Sequence, residues 1–469
     1  MSFLVYDIVF LIIFATFLFV FLHSGKKNLK REGLLILYRA AWGIKLINYV
    51  GNKFPRTFKV LSYVSIGMGY ILMVTMFYLI YTIMKVYLFR PDIVSQIKVP
   101  PIMPLVPYID KLVPGLPSFY FTYFIIILAI IAISHEFFHG IFAAYNKIKI
   151  NSTGFGFFPF FLPVFLAAFV ELDEKKMAKK SKFPQLAILS AGTFANILTA
   201  ILFFGILWIF FFFAFTPSGI IFNEYAYASI TVSAISSVNG IQLENASFEE
   251  FISLLNKTNF NEVETSEEKY VSVGFFTNSN EYVKLYYDAP AINIKLESTI
   301  LKINGEEIRN VNNLKEEMLK YSPGEKITLN VLGNDGNNYD KDIILGENPG
   351  NKSLPWIGVG FTEQESKRVL GKIYSALNFK DPHIYYKSNL GINLFIYDLL
   401  WWIILISISV ALINMLPVGI FDGGRFFYLT IWGITKSEKI AKNLFAFSTY
   451  FILSLLLLLM FFWAKISFF

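Results

Sequence analysis

Two of the chain's 4 histidines stand four residues apart, in His135-Glu136-Phe137-Phe138-His139. On a helix that spacing puts both imidazoles on one face. There they can share one metal ion, with Glu136 placed to act as base to a water at the ion's open position. The plain alternative is a pair of satisfied polar residues bracing a helix contact. The surroundings weaken it, because these three are the only ionisable side chains, tyrosines aside, in a long apolar run, and ionisable groups inside a membrane are costly and usually functional. A catalytic zinc usually takes three protein ligands, so a third must come from elsewhere. The chain has no cysteine, which leaves His, Asp or Glu. His23 and His383 fall in polar flanks, leaving the intramembrane acids Asp398 and Asp422. At 1.5 Å per residue His135 lies roughly 24 Å below the outer edge of its span, whereas Asp398 lies only about 8 Å below. Asp422 closes the segment Asn414-Met415-Leu416-Pro417-Val418-Gly419-Ile420-Phe421-Asp422-Gly423-Gly424, where Pro417 and the glycines end a helix and can turn the chain back toward the metal. The alternative role for Asp422 is to terminate that span.

The elements that position these residues follow from composition. The 469 residues are 55% hydrophobic and 16% charged, where soluble domains carry roughly a quarter charged residues. The chain therefore reads as a multi-span membrane protein in a lipid bilayer, and its net charge of +7 reads as basic cytoplasmic loops rather than a nucleic-acid surface. Spans are expected at Leu4 to Leu22 and at about 60–88, 119–145, 184–214, 391–418 and 444–466. Residues 23–59, with nine Lys or Arg against the single acid Glu32, are expected to be cytoplasmic, with the N-terminus outside. Seven lysines from Lys147 to Lys182, and Arg425, Lys436, Lys439 and Lys442, fall on the same side under this count. Between the first of these lysine groups, Thr153 to Val170 is apolar but interrupted by Gly154, Gly156, Pro159 and Pro163. It is expected to dip into the membrane and return.

From 216 to 390 the composition turns polar, as in a folded aqueous module outside the cytoplasm. Strands are expected at 281–287, 300–303 and 326–332, a short helix at 311–319, and turns at Asn304-Gly305 and Asn334–Gly336. Val238-Asn239-Gly240 followed by an amphipathic 248–255 echoes the pattern as a degenerate half-repeat.

These motifs resemble the site-2 protease family of intramembrane zinc metalloproteases, whose pattern is H-E-x-x-H followed at a distance by N-x-x-P-x-x-x-x-D-G. The resemblance implies His135, His139 and Asp422 as ligands of one Zn2+ and Glu136 as catalytic base. The family's A-G-x-x-x-N is matched by Ala191-Gly192-Thr193-Phe194-Ala195-Asn196. There Asn196 offers an amide to a developing oxyanion, or else an interhelical hydrogen bond without catalytic role. Asn414 is divided between positioning substrate and closing its helix. The stretch from Gly154 to Val170 resembles the family's re-entrant hairpin, which presents an extended edge to substrate, and the outer module, around Ala289-Pro290-Ala291 and 296–308, resembles a PDZ domain with some of its glycines replaced.

The expected fold is thus a polytopic α-helical membrane protein of about six spans plus a re-entrant hairpin, with an inserted α+β PDZ-like domain. Its division is 1–118 (two spans and a basic loop), 119–215 (first half of a protease core), 216–390 (PDZ-like domain), 391–430 (second half of the core) and 431–469 (last span). The expected activity is hydrolysis of peptide bonds within or beside the helices of single-span membrane proteins, in a cell membrane, with the site near the cytoplasmic face. The core motifs, with abundant Lys and Asn, point to an archaeal membrane. Two other classes compete: a transporter binding a metal in transit, which predicts paired broken helices in related halves, and a non-catalytic PDZ-bearing scaffold, which has no use for Glu136.

Overall fold

A computed structural model describes residues 3–24, 29–32, 35–97, 100, 101, 103, 105–111, 113, 116–157, 166–244, 247–256, 260–266, 268–273, 281–362 and 378–468. The chain divides into two compact units, one of residues 1–210 with 394–469 and one of residues 211–393. Six of the described helices are long and apolar enough to cross a membrane, the form that satisfies every backbone polar group within the segment when no water is at hand.

The first unit opens with α1 (Phe3–Ser24), then β1 (Leu29–Glu32), β2 (Leu35–Ala40), α2 (Ile44–Lys53), α3 (Pro55–Phe89) and α4 (Pro91–Ile97). After these come α5 (Phe121–Tyr145), β3 (Ile150–Phe157), β4 (Leu166–Leu172), α6 (Glu174–Ala178) and α7 (Lys182–Ala214). Within residues 23–59, expected as the basic connection between the first two spans, the structure adds two strands and a helix, and the sheet runs β1-β2-β3-β4, all antiparallel. Gly154 permits the β2–β3 approach, since a Cβ there would lie 1.9 Å from the Tyr38 carbonyl oxygen. The tip of the β3–β4 hairpin, with Pro159 and Pro163, lies outside the described residues, as do Lys26 and Lys27. Gly51 of α2 presses on α5, with space for its Cβ only 2.7 Å from the Ile141 carbonyl oxygen. The core at this level joins Ile47, Phe58, Phe142, Ile188, Met415 and Phe426.

In the second unit the sequence repeats itself in three dimensions. One six-stranded sheet is built from the contiguous stretch 227–287. A second takes its strands from Phe215–Ile221, Thr299–Ile303, Glu306–Glu307, Lys326–Leu332, Asn338–Ile344 and Ile384–Ser388, so the first copy is inserted within the second. Equivalent details recur. Asn239 and Asn304 take φ of 50° and 46°, each followed by a glycine at positive φ. Asn239 N–H donates to the Glu262 carbonyl at 2.8 Å and its Oδ1 accepts from Glu262 N–H at 3.1 Å. Asn304 makes the same pair with Thr328, both at 2.8 Å. The helices that follow, Phe248–Leu254 and Val311–Met318, are capped by Ser247 and Asn310. The half-repeat expected at 238–255 extends in each sheet through two further antiparallel strands, Phe260–Thr265 with Lys269–Val273 and Lys326–Leu332 with Asn338–Ile344, so these shared elements form a nested pair, while the remaining strands attach at different places in the two sheets.

The chain then returns to the first unit through α8 (Ile392–Asn414), α9 (Asp422–Thr435) and α10 (Glu438–Phe468).

Candidate active site

α5 carries His135 and His139 one turn apart, both buried. Their Nε2 atoms are 3.1 Å apart, and Asp422 Oδ2 is 3.3 Å from the first and 3.2 Å from the second. Asp422 reaches them because the chain folds back after α8. The Val418 N–H donates to Leu416 O at 2.8 Å and the Phe421 N–H to Val418 O at 3.0 Å, while Ser448 of α10 donates to the Pro417 carbonyl. The first turn of α9 then packs on this loop so closely that a Cβ at Gly423 would lie 2.3 Å from the Met415 carbonyl carbon, and one at Gly424 2.3 Å from Val418 O. Both positions need glycine for that approach.

Donors held about 2.0–2.1 Å from a tetrahedral ion stand about 3.3 Å from one another, which the Nε2, Nε2, Oδ2 triangle matches. The outer nitrogens are engaged as well. His139 Nδ1–H donates to the Ile188 carbonyl of α7 at 2.6 Å, leaving the Nε2 lone pair free. Gly192, one turn further along α7, keeps the space before both imidazoles clear, since a Cβ there would lie 2.3 Å from His139 Nε2 and 2.5 Å from His135 Nε2. Asn196 is fully buried, with its amide nitrogen 3.0 Å from His135 Nδ1. Its Oδ1, also buried, has no partner among the described residues. An ion on Nε2 puts the proton of His135 on Nδ1, and the Asn196 amide turned about its last bond then presents Oδ1 to accept it. One rearrangement satisfies both groups, so the residues present fit a metal.

Glu136 stands with the two histidines, ligand atoms within 4.8 Å of one another, but its carboxylate is turned aside: Oε2 accepts from the Val170 N–H of β4 at 2.9 Å. Among the described residues it is the only ionisable one lining an apolar cavity of about 650 Å³ bounded by α1, α5 and β4. β4 borders this cavity as the last strand of its sheet.

The remaining candidates lie elsewhere. His23 is in the last turn of α1, and His383 is in the second unit against Phe361. Asp398 is in the second turn of α8, and Asn414 is its last residue. Sequence reasoning weighs two intramembrane acids; the structure adds a third, Asp7, buried in α1. The signal was a lone acid in an apolar run.

The Peptidase_M50 model, for peptidase family M50, matches residues 123–459, more than half of the chain and inclusive of every residue of this cluster. No curated protein matches the chain.

Proposed function

The chain belongs to peptidase family M50, and we propose that it is a zinc-dependent intramembrane endopeptidase acting on single-span membrane proteins. The observation that carries the reading is the triangle of His135, His139 and Asp422 donors facing the space that Gly192 leaves open. His135, His139 and Asp422 would hold the ion. When bound, zinc supplies Lewis-acid polarisation of the scissile carbonyl and lowers the pKa of water at its open position to about 7. Glu136 takes the proton of the attacking water and returns it to the leaving amine. Asn196 orients His135 by accepting from Nδ1, the kind of outer partner that fixes a metal-binding imidazole. This role uses the side chain that the family resemblance offers to an oxyanion.

The substrate's helix must unwind, since its carbonyls are sheltered by intrahelical bonds. The open edge of β4 beside the cavity supports docking of an unwound segment through main-chain hydrogen bonds, with the hairpin dipping into the membrane from the cytoplasmic side. The nested pair in the second unit is read as two PDZ-like modules outside the cytoplasm that limit the size of substrate ectodomains.

The test is cleavage of a fluorescent single-span substrate in detergent by wild type, Glu136→Gln and Asp422→Ala, with zinc measured on each. Expected are turnover by wild type alone and about one zinc per chain in wild type and Glu136→Gln but not in Asp422→Ala. Zinc in wild type with no cleavage of any helix-destabilised substrate would favour a transporter instead.

A further inference from the structure

Asp7 belongs to neither the metal cluster nor a surface. It is 1% exposed in the second turn of an otherwise apolar helix, and its carboxylate meets four donors from outside its own helix. Oδ2 accepts from the Tyr108 hydroxyl at 2.8 Å and the Phe121 N–H at 2.7 Å. Oδ1 accepts from the Thr122 N–H at 2.9 Å and the Thr122 hydroxyl at 2.6 Å. Phe121 and Thr122 open α5, where backbone donors have no intrahelical partner, and Tyr120 before them supplies no side-chain cap. The helix bearing His135, Glu136 and His139 is therefore capped by a different span, with a carboxylate at its positive end.

The same face of α1 forms a wall of the cavity that ends at Glu136. Phe14, Leu18 and Phe21 line it, and they follow Asp7 at intervals of 7, 11 and 14, one stripe of a helix. Asp7, Leu18 and Leu22 are the buried residues of α1. Leu18 and Leu22 pack on Phe157 of β3, so the wall is fastened to the sheet at one end and to the start of α5 at the other. We propose that Asp7 is a positioning residue for substrate: by pinning α1 to the first turn of α5 it fixes the width of the cavity through which a substrate segment reaches Glu136. The inference rests on the protease reading for its kinetic arm only.

The experiment compares Tyr108→Phe, Asp7→Asn and Asp7→Ala with wild type in the full-length, zinc-loaded enzyme. It measures KM and kcat on a fluorescent single-span substrate, zinc content, and hydrogen exchange of the peptide 119–124. Tyr108→Phe removes one donor and leaves both amides capped, so KM should rise less than in either Asp7 variant and exchange at 119–124 should stay as in wild type. Asp7→Asn turns an NH2 group toward one pair of donors and strands an amide, and Asp7→Ala strands both. Loss of a cap of this kind corresponds to about tenfold in an equilibrium, so KM should rise about tenfold in Asp7→Ala and less in Asp7→Asn. Zinc and kcat should hold, and exchange at 119–124 should accelerate in both variants. Unchanged KM in both Asp7 variants would overturn the proposal, as would kcat and zinc falling together at constant KM, which is the mark of structural support alone. Should Asp7→Ala not fold, Asp7→Asn against Tyr108→Phe decides on the same criteria. The exchange arm needs no cleavage: unchanged protection of 119–124 in Asp7→Asn overturns the cap itself, whereas a wild type that cleaves nothing overturns only the protease reading.

Discussion

Replacing Gly192 by alanine adds one methyl group, and the structure fixes where it goes. The new Cβ would stand 2.3 Å from His139 Nε2, 2.5 Å from His135 Nε2 and 2.6 Å from His135 Cε1, where real Cβ contacts stop near 3.0 Å. Reaching that limit needs shifts of about 0.7 Å at one nitrogen and about 0.5 Å at the other, whereas metal–ligand distances tolerate about 0.2 Å. The helices have little freedom to part, since Ala187, Ala191 and Asn196 on α7 and Phe142 and Ala143 on α5 are buried to 1% exposure or less. The imidazoles must swing instead and lose their common focus. Alanine is about 1 kcal/mol better than glycine in a helix interior, so the backbone gives no reason for unfolding. Expected is a folded Gly192→Ala protein whose zinc content and turnover both fall at least about tenfold, no less than the lower end of the 10–100-fold cost of disturbing outer partners alone. Zinc by elemental analysis and cleavage of a single-span substrate are the assays. Gly205→Ala on the same helix is the control, because a Cβ there meets nothing within 4 Å. If Gly192→Ala keeps zinc and turnover equal to that control, the histidines do not converge on an ion in front of α7.

Asn196 separates two roles cleanly. As the partner of His135 Nδ1, its replacement by alanine should weaken zinc binding about 10–100-fold while kcat recovers at saturating zinc. An oxyanion donor would instead cost about 10²–10³ in kcat with zinc affinity unchanged. In the second unit, Asn304→Ala removes the acceptor of the Thr328 N–H and a residue type that tolerates a φ of 46°. It should lower the stability of that unit by about 1–3 kcal/mol, read as earlier thermal unfolding or faster proteolysis within 211–393, with zinc content unchanged.

The six spans were legible because a membrane leaves a sequence so few options: runs of apolar residues this long can only be helices. Their observed starts at Pro55 and Glu438 precede the expected 60 and 444 because a first turn outside the apolar core tolerates polar residues. The strands at Leu29–Glu32 and Leu35–Ala40 were hidden by Lys30, Arg31 and Arg39, whose charges read as a loop, and β3, on which the second of them pairs, lies more than a hundred residues away. The nested pair was half visible because an Asn-Gly turn with a capped helix is a local signal. The insertion was invisible because Phe215–Ile221 pairs with Thr299–Ile303 across the whole first copy. At the site, His135, Glu136 and His139 announce themselves by spacing. The constraint on Asn196 does not, since nothing local says which atom of α5 its amide will meet.

The geometry also gives a physical reason for the spacing of the second motif. On α5 the pair His135 and His139 occupies positions i and i+4. On α7 Gly192 and Asn196 have the same spacing, and both face that pair: the glycine lies opposite the two Nε2 atoms and the asparagine opposite His135 Nδ1. Ile188, a further turn back, takes His139 Nδ1–H on its carbonyl. Three successive turns of α7 thus hold one imidazole, clear the space between the two, and hold the other. Such a register demands that two helices meet along matched rows, and a residue inserted between Gly192 and Asn196 would rotate the amide about 100° away while leaving the glycine in place. The Asp422 carboxylate reaches the same two Nε2 atoms from the first turn of α9, where glycines rather than a matched helical row set its position.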